Sequence, residues 1–367
     1  MARRKYSYTP RRDGKAPARR RTTPAEPTGT NIPLAPAAII VGSIFLAIWL
    51  VMLRGDASEA GVSGASVLNS SNAPAQPAVA ADTAETSTSA EAAPAATPAP
   101  TPFVPGDDPA PLITGGAAAV IEEPCGNLLY GLNEHTQLPP ASLTKIATAL
   151  VAADSKPMNE VVNVLVDGGA LSIETGATVM GLKPGQQMTM YDLLNGLILR
   201  SGNDAALTIA HAVAGNEAKF VEMMNAKVAS LGLHDTHFVN SHGLDTPNHY
   251  GSAYDIAVLG RELLHNQSLS DIVQSQTYTP NWDGGELTNI NLLLTNYPGA
   301  IGIKTGYTDL AGMTIVGGAD RNGRRILVSV MQSSDVYVDA MALLDWAFAN
   351  TAPSCDSPPA QAAAINP

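Results

Sequence analysis
An uncharged run of twenty residues, LAPAAIIVGSIFLAIWLVML at positions 34–53, divides this chain into parts that cannot share one core. As a helix it would be about 30 Å long, the thickness of a bilayer's hydrocarbon layer. Trp49 stands near its far end, where interfacial aromatics are common. Residues 1–32 hold nine Lys/Arg against two Asp/Glu, a balance of +7. Basic flanks stay in the cytoplasm, so the N-terminus is expected inside and everything after the run outside. A cleaved signal peptide has a shorter apolar region and a small-residue cleavage site. Arg54, Gly55 and Asp56 follow here instead, so the reading is a retained single-pass anchor over 33–54.

The part beyond the anchor is acidic. After residue 32 there are twelve Lys/Arg against thirty-one Asp/Glu, or −19. Phosphate binding needs a basic footprint, so nucleic acid is excluded as a partner of this part. Residues 56–110 include 16 Ala, 8 Pro, 7 Ser and 5 Thr, and almost no large apolar side chains. Such a segment buries too little surface to offset its ordering entropy, so 55–110 reads as a disordered linker. Its use is reach: about 40 Å as a flexible coil, about 180 Å fully stretched.

Residues 111–352 form the globular body, and 353–367 a loose Pro/Ala tail. Residues 117–121 and 128–132 read as strands around a turn at 124–127. Helical periodicity marks 143–153, 191–200, 205–213, 217–231, 253–264 and 338–348. Strands at 314–318 and 326–331 flank Asn322-Gly323, a strong hairpin signal. The order predicts an α/β body: a sheet assembled from both ends of the segment, flanked by helices, with a mainly helical region inserted.

Three short motifs carry chemistry. Ser142-Leu143-Thr144-Lys145 follows Pro139-Pro140-Ala141. Prolines suit the approach to a helix, so Ser142 stands at a helix start, with Lys145 on the same face one turn on. A serine hydroxyl needs a base to become a nucleophile, and lysine serves only with a lowered pKa. Taken alone, the motif reads as a helix cap and a surface lysine. Ser201-Gly202-Asn203 lies between two helical stretches, and a second copy of the pattern, Ser70-Ser71-Asn72, sits uselessly in the linker. Lys304-Thr305-Gly306, followed by Tyr307, reads as an exposed strand whose glycines let a substrate backbone approach. Its plainer meaning is an edge strand protected by lysine.

In this order and these contexts, the three motifs match the signature shared by penicillin-binding proteins and class A β-lactamases. The chain resembles the serine D-alanyl-D-alanine carboxypeptidases, the low-molecular-weight penicillin-binding proteins of peptidase family S11. The resemblance extends through Leu138 to Lys145, Gly181-Leu182-Lys183-Pro184-Gly185, Arg200 to Ala206, Thr236 to Asn240, His242-Gly243-Leu244-Asp245, and Gly302 to Thr308. It implies the penicillin-binding-protein/β-lactamase fold, with no cofactor and no metal. Ser142 would be acylated and Lys145 its base. Ser201 would relay a proton to the leaving group, and Asn203 would hold the substrate amide and position Lys145. Lys304 would support that network and, with Thr305, bind the terminal carboxylate of D-Ala-D-Ala. The N–H groups of Ser142 and Tyr307, beside Gly306, would form the oxyanion hole. Partners so implied are the peptidoglycan stem peptide and β-lactam antibiotics as covalent inhibitors. The expected place is a bacterial cell membrane, with the catalytic part outside.

Members of this family often carry a C-terminal amphipathic anchor behind an extra β domain. Here the sequence ends about 17 residues after the last helix, so the N-terminal segment would take the anchor's place. Cys125 and Cys355 would both lie outside the membrane and either pair or stay free. Among rivals, a D,D-endopeptidase would use the same chemistry on crosslinks. A β-lactamase needs a glutamate to drive deacylation; Glu262 and Asn266 mimic the usual spacing but fall in a helix. A non-catalytic antibiotic sensor is disfavoured because every motif residue is intact. His234, His237, His242 and His249 fall close together, yet read as loop histidines rather than zinc ligands. Met188, Met190, Met223 and Met224 read as core filler.

Overall fold
The computed structural model describes residues 106–355 apart from residue 283. The basic tail, the anchor, most of the linker, the Ser70-Ser71-Asn72 copy and residues 356–367 lie outside the described residues. Among the described residues no helix is long and apolar enough to cross a membrane.

The fold opens with β1 (Ala117–Glu123) and β2 (Asn127–Leu132), the hairpin expected from sequence. The inserted region follows: a 3-10 turn (Ala141–Leu143), α1 (Thr144–Ser155), β3 (Val161–Asn163), α2 (Gly168–Thr175), β4 (Gln187–Thr189), α3 (Met190–Leu199), α4 (Asn203–Ala214), α5 (Glu217–Ser230), α6 (Ala253–His265), α7 (Gln267–Gln274), β5 (Thr277–Tyr278), β6 (Leu287–Thr288) and α8 (Leu293–Asn296). Then come β7 (Ala300–Thr308), β8 (Gly312–Arg321), β9 (Arg324–Ser333) and α9 (Val336–Asn350).

The main sheet is antiparallel with order β2-β1-β9-β8-β7, so both ends of the body do build it. Strand side chains alternate in direction, and here both directions lead into a core. Ala117, Ala119 and Ile121 join Leu327 and Met331 in the core under α6, whereas Ala118 and Val120 join Ile326, Val328 and Val330 under α9. That is why β1 reads as an apolar run rather than an alternation. In α1 every residue from Thr144 to Ala152 is buried. A helix enclosed all round must be apolar or small all round, and Ala147, Ala149 and Ala152 let its neighbours approach.

The sequence missed α2 because periodicity cannot see it. Only Gly168 of that helix is buried, and it is defined instead by its ends: Asp167 accepts from the Ala170 N–H, and Gly176 closes it in the left-handed conformation. Met188, Met190 and Met224 are core residues as expected, but Met223 is exposed, since α5 turns it outward.

Cys125, in the β1–β2 turn, and Cys355, beyond α9, are joined as a disulfide with Cα atoms 5.6 Å apart. Beside it the buried Glu122 accepts from Arg324 Nε at 2.9 Å and Ser354 Oγ at 2.6 Å, so the segment just after α9 is held by polar contacts as well. Crosslinking residues 230 apart restricts the unfolded chain strongly. The double variant Cys125→Ser/Cys355→Ser is expected to lose about 2–4 kcal/mol of stability. Thermal melts with and without reductant check this: the native protein should lose its advantage on reduction, and the variant should not respond.

Candidate active site
The first wall of the site is the turn that leads into α1. Leu138 is bridged to Gly251, Pro139 and Pro140 follow, and Ala141 takes φ +49°. A left-handed φ on a residue with a Cβ is strained and persists only where neighbours enforce it. Thr144 Oγ1 donates to the Ala141 carbonyl at 2.8 Å, and His249 Nε2 lies 2.8 Å from the same hydroxyl. His249 Nδ1 accepts the Val239 N–H at 2.9 Å, so its proton sits on Nε2. Burial, with His242 and His237 close by, pushes His249 down to about 3, and the ring stays neutral.

Gly243 packs on this turn at φ +92°, and a Cβ there would overlap the Ala141 carbonyl. Gly243→Ala is therefore expected to displace Ser142. Its acylation by a fluorescent penicillin should slow about 100-fold, the usual cost of a reacting atom misplaced by about 1 Å. Retention of the native rate would show that the turn does not depend on this contact.

The second wall is the α3–α4 junction. Ser201 has φ +57°, is buried, and its Oγ has no hydrogen-bond partner. A buried orphan hydroxyl is costly, and this one faces the cleft. Asn203 begins α4 and donates its N–H to the Thr178 carbonyl at 2.8 Å. Next to it stands Asp204, fully buried and not singled out from sequence. Its carboxylate accepts from the N–H groups of Met180, Gly181, Leu182 and Ala205, each at 2.9 Å. It pins the segment carrying Thr178 against the cleft. Its sequence signals were its place in the family-like stretch Arg200 to Ala206 and an acid in the first turn of a helix.

The third wall is β7, the sheet edge. The expectation of an exposed strand holds at Tyr307, but Lys304 is buried, so it is not a solvated edge-protecting lysine. Gly306 packs on the nucleophile turn: a Cβ there would lie 2.8 Å from the Ser142 nitrogen. The loop after α5 closes the far side, where Thr308 Oγ1 donates to Asp245 at 2.7 Å.

Two lysines lie beneath these walls. Lys145 is fully buried, with Nζ 3.0 Å from Ser142 Oγ and 2.5 Å from the His242 carbonyl. Burial, then the neighbouring Lys304 charge, push its amine well below the usual lysine range, against the opposing pull of Asp204. Lys304 Nζ donates to the Thr305 carbonyl at 2.9 Å, and burial pushes it down to about 7. A neutral Lys145 can donate to His242 and turn its lone pair to the serine hydroxyl. No hydrogen bond joins Lys145 to Asn203 among the described residues.

Ser142, Ser201, Asn203, Thr305, Gly306 and Tyr307 together line one cleft of about 320 Å³. No carboxylate is among its described lining residues. Glu262 instead pairs with Lys227 at 3.3 Å on α6, outside the cleft. His249, as above, and His237, through a 2.7 Å contact with the Asn248 carbonyl, serve the scaffold, whereas His242 lines the cleft and offers its carbonyl to Lys145. Among the described residues no His/Cys/Asp/Glu group is placed to hold a metal.

Comparison with known proteins agrees with this geometry. The family described as D-alanyl-D-alanine carboxypeptidase, peptidase S11, matches residues 106–335. The D-alanyl-D-alanine carboxypeptidase DacB2 of Mycobacterium tuberculosis is 40% identical over 234 residues, covering 61% of this chain and 79% of that protein. DacF of Bacillus subtilis is 34% identical over 243 residues, covering 63% of this chain and 61% of DacF, so the chain spans under two thirds of that relative. Among solved structures, a D-alanyl-D-alanine carboxypeptidase from Mycobacterium tuberculosis superposes with TM-score 0.62 at 36% identity, covering 67% of this chain and 96% of that one. The Streptomyces K15 DD-transpeptidase superposes with TM-score 0.63 at 27% identity, covering 66% of this chain and 100% of that one. The chain belongs to the D-alanyl-D-alanine carboxypeptidase family, peptidase S11.

Proposed function
We propose that this protein is a serine D-Ala-D-Ala carboxypeptidase that removes the terminal D-alanine from peptidoglycan stem peptides through an acyl-enzyme. The observation that carries the reading is the buried Lys145 amine, 3.0 Å from Ser142 Oγ and depressed toward its neutral form. Ser142 Oγ attacks the carbonyl of the penultimate residue, and its proton passes to Lys145. Charge develops on the carbonyl oxygen, which the N–H groups of Ser142 and Tyr307 receive without reorganising. The C–N bond breaks, a proton reaches the leaving nitrogen by way of Ser201, and D-alanine departs. Water then attacks the ester, Lys145 takes its proton, and the acyl C–O bond breaks as that proton returns to Ser142 Oγ.

Asn203 binds the substrate amide, and Thr305 faces the terminal carboxylate with the Lys304 charge buried behind it. Penicillins acylate the same serine. With no carboxylate among the described lining residues, nothing there drives rapid release of the drug, which separates this site from a β-lactamase. The catalytic part works outside the cell, tethered by residues 33–54 and spaced from the membrane by 55–110. The uncharged run and the nine basic residues before it support that placement.

The test is D-alanine release from a pentapeptide, run beside cleavage of a crosslinked dimer. Release of D-alanine with the dimer intact supports the carboxypeptidase. Dimer cleavage alone would make the protein an endopeptidase.

A further inference from the structure
The cleft is lined in part by a residue that the three motifs do not include. Tyr337, in the first turn of α9, lines the cleft together with Thr305 and Ile290. Its hydroxyl accepts the Leu292 N–H and donates to the Ile290 carbonyl, both at 3.3 Å, and the Thr305 side chain is a further partner. Ile290 is tied in turn to the Leu199 carbonyl at 3.0 Å, two residues before Ser201. One phenol thus joins α9, β7 and the 290–292 segment where the substrate's C-terminus must lie.

The charge around this point is unusual for a carboxylate site. No lysine or arginine is among the described residues lining the cleft, and both Lys145 and Lys304 are buried behind its walls. Burial brings Lys304 down to about 7, so its charge is incomplete at neutral pH. The same burial raises Tyr337, so its phenol keeps its proton and remains a donor. Its bonds to the 290–292 segment are long, and rotating the O–H from the Ile290 carbonyl into the cleft costs only one of them.

We infer that Tyr337 is a specificity residue: with Thr305 it receives the substrate's free C-terminal carboxylate as a neutral hydrogen-bond donor. This rests on the proposed reaction, and the test separates the two. A peptide ending in D-Ala-D-Ala and its D-alaninamide counterpart are turned over by wild type and Tyr337→Phe, with melting curves for both proteins. Wild type should prefer the free acid. Tyr337→Phe should lower kcat/KM for the free acid about tenfold, mainly through KM, and change the amide less than about twofold. An equal loss on both peptides would reduce Tyr337 to a structural role, and no loss on either would overturn the inference. Acylation by a penicillin and by its methyl ester gives an independent arm with the same expected selectivity. If wild type cleaves neither peptide, the carboxypeptidase reading fails, and the penicillin pair still decides the role of Tyr337.

Discussion

Ser142→Ala is expected to abolish the covalent penicillin adduct and to lower D-alanine release by at least about 10³-fold. Ser142 is the cleft hydroxyl with a lysine amine in hydrogen-bond contact. Ser201 Oγ has no hydrogen-bond partner, hence no base in contact, and Thr314 Oγ1 is turned to the Pro140 carbonyl at 3.3 Å. The variant should fold. The side chain's recorded hydrogen bond is with Lys145 Nζ, which keeps its contact to the His242 carbonyl after the change. Losing one such bond costs about 1 kcal/mol, far less than the stability of a domain. Intact-mass measurement after drug treatment therefore compares two folded proteins: one adduct per chain on wild type and none on the variant. An adduct persisting on Ser142→Ala would place the nucleophile elsewhere and undo the assignment of every other residue. Ser201→Ala separates the roles further. It should still form the adduct, more slowly, because it removes a proton relay rather than the attacking atom.

The cleft was legible in the sequence to the extent that chemistry depends on short spacings. Ser142 and Lys145 share a helical face, so three positions of separation already placed the amine on the hydroxyl. Where a residue acts through distant backbone, spacing says nothing. Asp204 holds segment 180–182 from more than twenty positions away, and Tyr337 reaches the 290–292 segment across forty-five. Neither sits in a repeating pattern. The same limit explains the elements. Strands β1, β8 and β9 and helices α1 and α6 bury enough surface to show as apolar runs or periodic stretches, whereas α2 and the two-residue strands β5 and β6 are fixed by caps and tertiary contacts. Lys304 misled for a related reason. A lysine on an edge strand is ordinarily solvated, and only the fold shows that the neighbouring walls close over it.

Acylation should follow a bell-shaped pH profile whose two limbs come from the two lysines. Lys145 works when unprotonated, so the rate rises as pH passes its pKa. That pKa lies well below the usual lysine range because burial and the Lys304 charge both penalise the ammonium. Lys304 works when protonated, so kcat/KM falls above about 7, where burial has brought it. The ratio kcat/KM reports the free enzyme and kcat the bound one. A bound carboxylate favours the Lys304 ammonium, so the alkaline limb should move upward in kcat relative to kcat/KM. Lys145→Arg tests the acid limb: a guanidinium does not deprotonate in this range, and the rate should drop about 10²–10⁴-fold at the wild-type optimum, with that limb gone. Lys304→Gln tests the coupling. Removing the neighbouring cation relieves part of the penalty on the Lys145 ammonium, so the acid limb should shift to higher pH while the alkaline limb near 7 disappears. An acid limb that stays in place in Lys304→Gln would mean that the two amines do not sense each other. Burial alone would then have to keep the base neutral.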